Sequence, residues 1–512
     1  MADSKGVKFA ANFEVHDADQ SQVEAQRTSQ SMEARASRRA SRRSMRISQA
    51  ARRSTVTSLA VSFSDVILDE VEDILLAPPP SATFASTCFT LLKNVLGSSV
   101  LSLPDGFKYA SILPSFIICF IVVVMTISTM TVVAVLCHKY EATSYRGLWS
   151  QVVGPRTAPM VDVCICLNSI FSCVSYCLLI GSWMTQGLKE LLGDLFGNVT
   201  LNSLIVAVFV LFPLTLLRDL HALRHTSVAG VACMLFGVGF VVCQAALHWD
   251  ERIPGRTCGS HSVVHYDPTE KQSWVACTSS EVWSGGFYNP SFKMLETINM
   301  VAATFMAHYN VPKFYAEFYT RDPYVFGRAT FCAMALGLVL AASLSLAGLL
   351  RFGLTMPDAN ILMHFNEQFP GGQVAIMSKT ERLFTLFTWC VMSLNLVTSF
   401  PLLFTPLRTS FLQLCGTSVE ALSPYSYIAI TASLLSFAVV FGLIVPSLTL
   451  ISKFKGAICG MSIAYIIPAM LMWKDSKGSR SLPVVCAVLG VLIMGSSLMV
   501  YGLSGAIKSL MI

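Results

Sequence analysis

The sequence predicts an all-α polytopic membrane protein with about eleven transmembrane helices, and three observations predict it. The 512 residues are 54% hydrophobic and only 13% charged, against about 25% charged in a soluble domain. Apolar runs of 18 or more residues, each enough to cross a bilayer, recur from residue 84 to the C-terminal end. The net charge of +6 is concentrated rather than spread, since residues 27–54 hold nine arginines and one acid, Glu33.

Residues 1–81 read as a cytosolic tail. Ser, Arg, Gln and Ala dominate residues 1–54, which lack the large apolar residues needed for a core and are expected to be disordered. Within residues 63–75, Phe63, Ile67, Val71, Ile74 and Leu75 recur at helical spacing with acids between them. That spacing predicts a short acidic amphipathic helix, stopped by Pro78-Pro79-Pro80. A signal peptide is not expected, because this polar stretch has no apolar h-region.

Residues 82–512 form the membrane domain. Spans are expected near 84–109, 112–137, 160–186, 203–217, 222–247, 292–316, 328–352, 381–406, 427–446, 455–473 and 482–507. An odd number puts the termini on opposite sides, and the arginine tail holds the N-terminus in the cytosol. The outer face then receives the sequon Asn198-Val199-Thr200, a glycosylation site at Asn198, and the polar loop containing Cys258 and Cys277. Those two cysteines are expected to pair, closing a loop worth about 3 kcal/mol. Lys453 and Lys455 fall in an outer loop on this reading. Most other cysteines lie in apolar segments and act as small apolar residues.

Two stretches break a membrane helix at matching places. The first is Leu91-Leu92-Lys93-Asn94-Val95-Leu96-Gly97-Ser98-Ser99-Val100-Leu101-Ser102-Leu103-Pro104, in the first span. The second is Phe305-Met306-Ala307-His308-Tyr309-Asn310-Val311-Pro312, in the sixth. A break in hydrocarbon frees backbone groups that lipid cannot satisfy, so it must line a cavity. Paired breaks in corresponding spans imply the substrate site of a secondary transporter; packing kinks are the alternative. The freed N–H groups of Gly97, Ser98 and Ser99 suit a carboxylate, and the same small residues also suit close helix packing.

Other polar residues carry paired readings. Lys93 sits deep in the first span, where a lysine costs about 2.5–3.5 kcal/mol without a partner; it either faces a polar cavity or snorkels to the interface. His308 is a proton-linked group or a neutral, hydrogen-bonded one. Thr398 and Ser399, beside Pro401, either ligate an ion or satisfy the local backbone. Asp105 attracts a cationic side chain or binds a nearby backbone N–H. No P-loop, H-E-x-x-H or G-x-S-x-G constellation is present, so no enzyme is implied, and nothing points to a metal, a cofactor or nucleic acid.

These residues carry a resemblance. Residues 92–107, Leu92 to Phe107, resemble the first-helix motif of the amino acid/auxin permease family, commonly G-x-G-[VI]-L-x-L-P-x-A-F. Four later stretches are similar to that family in order: Pro213 to Leu220, His308 to Glu317, Ser399 to Arg408 and Gly456 to Ala469. The resemblance covers roughly residues 84–506. It implies an amino acid transporter transmembrane domain of the APC superfamily, with a LeuT-like 5+5 inverted repeat plus one helix. It also implies transport of an amino acid by alternating access, coupled to H⁺ or Na⁺. Substrate contacts are then expected at Gly97, Ser98, Ser99, Val100, Met306, His308 and Tyr309.

Coupling residues are expected among Lys93, Asn94, Thr398 and Ser399. In the sodium-coupled branch an asparagine stands where this chain has Lys93, four residues before the first glycine. The proton-coupled branch resembles this chain in having a lysine there, and a fixed ammonium repels Na⁺ by several kcal/mol at short range. An alignment shifted by one residue puts Asn94 in that role instead. Ser99 and Ser102 replace two common glycines of the motif, and Gly106 its alanine.

The expected function is therefore a secondary active amino acid transporter, probed against three rivals: a sensor signalling through its tail, a Na⁺-coupled transporter, and a lipid or ion channel. Its location is the plasma membrane or a vacuolar or lysosomal membrane. Ser41, Ser44 and Ser54 follow paired arginines, the spacing of basophilic kinases, and the arginines suit anionic lipid.

Overall fold

The first apolar segment is three helices, the middle one a single turn, rather than one helix. Helix α1 (Phe84–Val95) is capped by Thr83, whose hydroxyl accepts the Ser86 N–H at 3.3 Å. It stops at Leu96, and Gly97 takes an extended conformation. One turn, α2 (Ser98–Leu101), follows, then α3 (Leu103–Ala110), which Pro104 starts without losing an intrahelical bond. Ser111, at φ 71°, turns the chain into α4 (Ile112–Tyr140).

In this computed structural model the described residues are 82–217, 224–250, 253–254, 263–267, 272–288, 294–353, 360–365, 378–445, 447–476 and 482–511. The tail, its acidic helix near 63–75, Ser41, Ser44, Ser54 and Cys258 lie outside them.

The remaining helices are α5 (Tyr145–Val152), α6 (Ala158–Leu192), α7 (Val199–Thr215), α8 (Arg224–Leu247), α9 (Ser279–Gly286), α10 (Met294–Thr304), α11 (Val311–Glu317), α12 (Pro323–Phe352), α13 (Lys379–Leu414), α14 (Pro424–Ile444), α15 (Leu448–Asp475) and α16 (Leu482–Met511). Among the described residues, eight helices are long and apolar enough to cross a membrane. The other apolar segments of the expected series are the broken ones, α1–α3 and α10–α11, and the shorter α7. The broken α10–α11 repeats the pattern of the first: α10 ends at Thr304, a single turn spans His308–Asn310, and Pro312 opens α11.

Among the described residues the chain is nearly all helical, with one exception to the all-α expectation. A small antiparallel sheet of β1 (Ile253–Pro254), β2 (Val263–Asp267) and β3 (Gln272–Cys277), in the order β1-β3-β2, lies between α8 and α9. Polar loop composition hides such strands from a reading based on apolar periodicity.

Helix packing centres on α6 and α13, which lie along each other; α4 packs on α12, and α1 on both α8 and α12. Large apolar side chains such as Phe120, Phe209, Ile493 and Val500 point outward, as expected where the solvent is hydrocarbon. Charged side chains tie helix ends together: Lys139 to Asp475 at 2.6 Å, Lys453 to Glu296 at 2.9 Å, and Arg146 to the buried Asp162.

One expectation is corrected. Lys453 and Lys455 are not in a loop but in α15. Ser447 caps α15 by accepting the Leu450 N–H at 3.2 Å, so the helix starts at Leu448 and carries Lys455 two turns inside, where it is buried. The helix widens into π-type turns over Lys455–Gly460, a feature common at functional sites. Gly456 lies so close to α10 that a Cβ there would stand 2.3 Å from the Asn299 carbonyl oxygen.

Candidate substrate and coupling sites

The two breaks meet. A small cavity is lined by Asn94, Gly97, Ser98 and Ser99 from the first break and by Ala303, Thr304, Met306 and Tyr309 from the second. Helix α6 adds Asn168, Ser172 and Tyr176, α13 adds Leu403, and α15 adds Lys455. In this conformation the cavity has room for a water molecule rather than an amino acid.

Polar groups hold the breaks in register. Asn94 Oδ1 accepts from the Tyr309 hydroxyl at 3.4 Å and from Asn310 Nδ2 at 3.3 Å, so the first break is bonded to the second. The Tyr176 ring lies over Gly97, where a Cβ would come within 2.8 Å of its hydroxyl. Lys455 Nζ donates to Ser99 Oγ at 3.0 Å. Asn94 Nδ2 and Asn168 Oδ1 are buried without a hydrogen-bond partner in the protein. Each such group costs about 1–3 kcal/mol, so a ligand offering an acceptor and a donor is favoured there.

Of the seven expected substrate residues, Gly97, Ser98, Ser99, Met306 and Tyr309 line this cavity. Val100 is buried beside it but does not line it. His308 is also buried away from it, with Nε2 2.8 Å from the Thr129 hydroxyl on α4.

The four residues expected to handle the coupling ion separate into two places. Asn94 belongs to the cavity. Lys93 points the other way, to where α1, α8 and α13 converge, with Nζ 3.5 Å from Thr398 Oγ1. It does not snorkel; it is buried. Gly230 on α8 makes room for it, since a Cβ there would stand 2.9 Å from Lys93 Cε. Thr398 and Ser399 both donate to the Asn395 carbonyl, at 3.0 and 2.7 Å, so both hydroxyls are bonded to the local backbone; the carbonyl that Pro401 leaves without its helical donor is that of Val397, four residues earlier.

Asn198 caps α7 with its side chain, accepting the Leu201 N–H at 3.1 Å, and is exposed. Cys277 is the last residue of β3.

Sequence reading missed Asn168, Ser172, Tyr176, Leu403 and Lys455. The first four sit in long apolar helices with no local mark. Lys455 had one signal: Ser447, a good N-cap residue eight positions before it.

Residues 80–508 match the family described as transmembrane amino acid transporter protein, whose members transport rather than catalyse. The chain is similar to amino acid transporter AVT6C of Arabidopsis thaliana, 26% identical over 430 residues covering 80% of this chain and 90% of that one. It is 23% identical to vacuolar amino acid transporter 2 of Saccharomyces cerevisiae over 451 residues, 83% of this chain and 84% of that one. A shorter match, 26% over 166 residues, joins it to solute carrier family 38 member 8 of Mus musculus, covering 31% of this chain and 38% of that one. With two helix breaks meeting on one polar cavity and a family match over most of its length, the chain belongs to the transmembrane amino acid transporter proteins.

Proposed function

We propose that the protein is a secondary active transporter that moves an amino acid across a membrane by alternating access, driven by H⁺. The observation that carries this is the meeting of the two breaks: Asn94 bonded to Tyr309 and Asn310 around a cavity lined by both. The substrate carboxylate is held at Gly97–Ser99 and the amino group by carbonyls freed at Phe305–Ala307.

The proposed architecture is eleven spans, with α1–α3, α7 and α10–α11 added to the eight long helices, arranged as an inverted repeat. Exchanged contacts support the repeat. Counting spans in order, the first packs on the fifth as the sixth packs on the tenth; the first packs on the seventh as the sixth packs on the second. The second meets the seventh and the third meets the eighth. Such exchange is what a pseudo-two-fold axis produces.

Proton coupling rests on Lys93. Its ammonium stands beside Thr398, the neighbour of Ser399, which matches the position whose hydroxyl helps hold the ion in the sodium-coupled branch. A fixed positive charge there disfavours Na⁺. A vacuolar membrane is the favoured location, because one relative is named a vacuolar transporter; the N-terminus is cytosolic.

Concentrative uptake of labelled amino acids by proteoliposomes under an imposed pH gradient tests the reading. Accumulation above equilibrium supports it. Binding without accumulation supports a sensor instead, a reading that the arginine-rich tail favours. Flux that only runs downhill supports a channel.

A further inference from the structure

Two lysines two residues apart on α15 have different fates. Lys453 reaches Glu296 at 2.9 Å and is ion-paired. Lys455 is buried in the candidate cavity, and its hydrogen bond goes to a neutral hydroxyl, Ser99 Oγ, at 3.0 Å. No Asp or Glu is among the residues lining that cavity, and among the described residues no carboxylate forms an ion pair with Lys455. Burying an ammonium costs several kcal/mol unless an opposite charge accompanies it, and a single hydroxyl offsets only part of that. The backbone runs close there: a Cβ at Gly456 would stand 2.3 Å from the Asn299 carbonyl oxygen, so α15 lies tight against α10 one residue after Lys455.

We propose that Lys455 binds the carboxylate of the substrate. In the conformation described here its ammonium rests on Ser99; a carboxylate entering between α2 and α15 takes over as its partner and supplies the missing charge. The bond to Ser99 has one charged partner; a carboxylate makes both partners charged and adds Coulomb attraction to the hydrogen bond. The ligand class is thus an amino acid with a free carboxylate, and its amide or ester is rejected. This rests on the amino acid transport reading above and adds the residue that recognises the acid.

The test is discrimination between acid and amide. The full chain is reconstituted in proteoliposomes and offered each of the twenty amino acids in labelled form. The carboxamide and the methyl ester of one that is taken up are then used as competitors. Wild type should need at least about tenfold more amide than unlabelled amino acid for half-inhibition. Lys455→Met and Lys455→Gln should bring that ratio close to one, and Lys455→Arg should keep most of it. A purely structural lysine would lower uptake without changing the ratio. An unchanged ratio in the Met and Gln variants, or an amide that competes as well as the acid in wild type, overturns the proposal. Where the variants yield no folded protein, thermal stabilisation of the wild type decides it: the amino acid should raise the midpoint and its amide should not, and equal shifts refute the role. If no amino acid is taken up or stabilises the protein, the transport reading itself fails; if uptake is normal and the ratio is indifferent to Lys455, only the present inference fails.

Discussion

The ammonium of Lys93 on α1 stands 3.5 Å from the hydroxyl of Thr398 on α13, in a gap that Gly230 of α8 keeps open. Three helices therefore meet on one buried positive charge. A transporter whose conformations are set by how these helices lean on one another is sensitive to what occupies that point.

Uptake should be indifferent to Na⁺ and should rise as the outer pH falls. A steep Na⁺ dependence at constant pH, measured in the same vesicles, would remove Lys93 from the coupling role. Lys93→Asn is the companion variant, and it is expected to make uptake sensitive to Na⁺.

Gly230→Ala should destabilise the fold. The new methyl would lie 2.7 Å from Asn395 Oδ1 and 2.9 Å from Lys93 Cε, and overpacking of this kind costs about 1–3 kcal/mol. Removing one of the two clashes with Lys93→Ala should recover part of the loss. Thermal unfolding in detergent of the two single variants and the double variant measures the coupling, expected at about 0.5–3 kcal/mol. Strict additivity would mean that the two side chains do not touch.

Ser98→Phe and Ser99→Phe should fill the cavity and abolish uptake while surface protein stays at the wild-type level. Both serines are buried cavity-lining residues of α2. Uptake with unchanged affinity in both variants would place the substrate elsewhere.

Asn198 should carry a glycan, and Cys258 should be paired with Cys277. Asn198 is exposed at the start of α7. Mass spectrometry that finds a bare Asn198 and two free thiols would invert the assigned orientation. Asn198→Ala should also lower stability by about 1 kcal/mol through loss of the cap.

The nine arginines of residues 27–54 should bind vesicles containing anionic lipid, at about 1 kcal/mol per residue near the surface. Glutamates at Ser41, Ser44 and Ser54 should weaken that binding. If neither these changes nor deletion of residues 1–54 alters transport, location or lipid binding of the isolated tail, the tail has no regulatory part.

What the sequence by itself determined is where the chain stays straight and where it breaks. Apolar runs forced helices through the bilayer, and Gly97-Ser98-Ser99 and Pro312 marked the interruptions, because glycine, serine and proline act on the backbone locally. The structure has both breaks at these positions. The family resemblance came from the same local features. Only the tertiary structure decided which side chains face the breaks. Asn168, Tyr176 and Lys455 come from other helices, and a helix's rotation about its axis follows from packing against its neighbours rather than from its own residues. Lys455 shows this most plainly. A start of α15 one or two turns later would have left it at the interface; the Ser447 cap and the tight crossing of Gly456 on α10 instead put its charge beside Ser99.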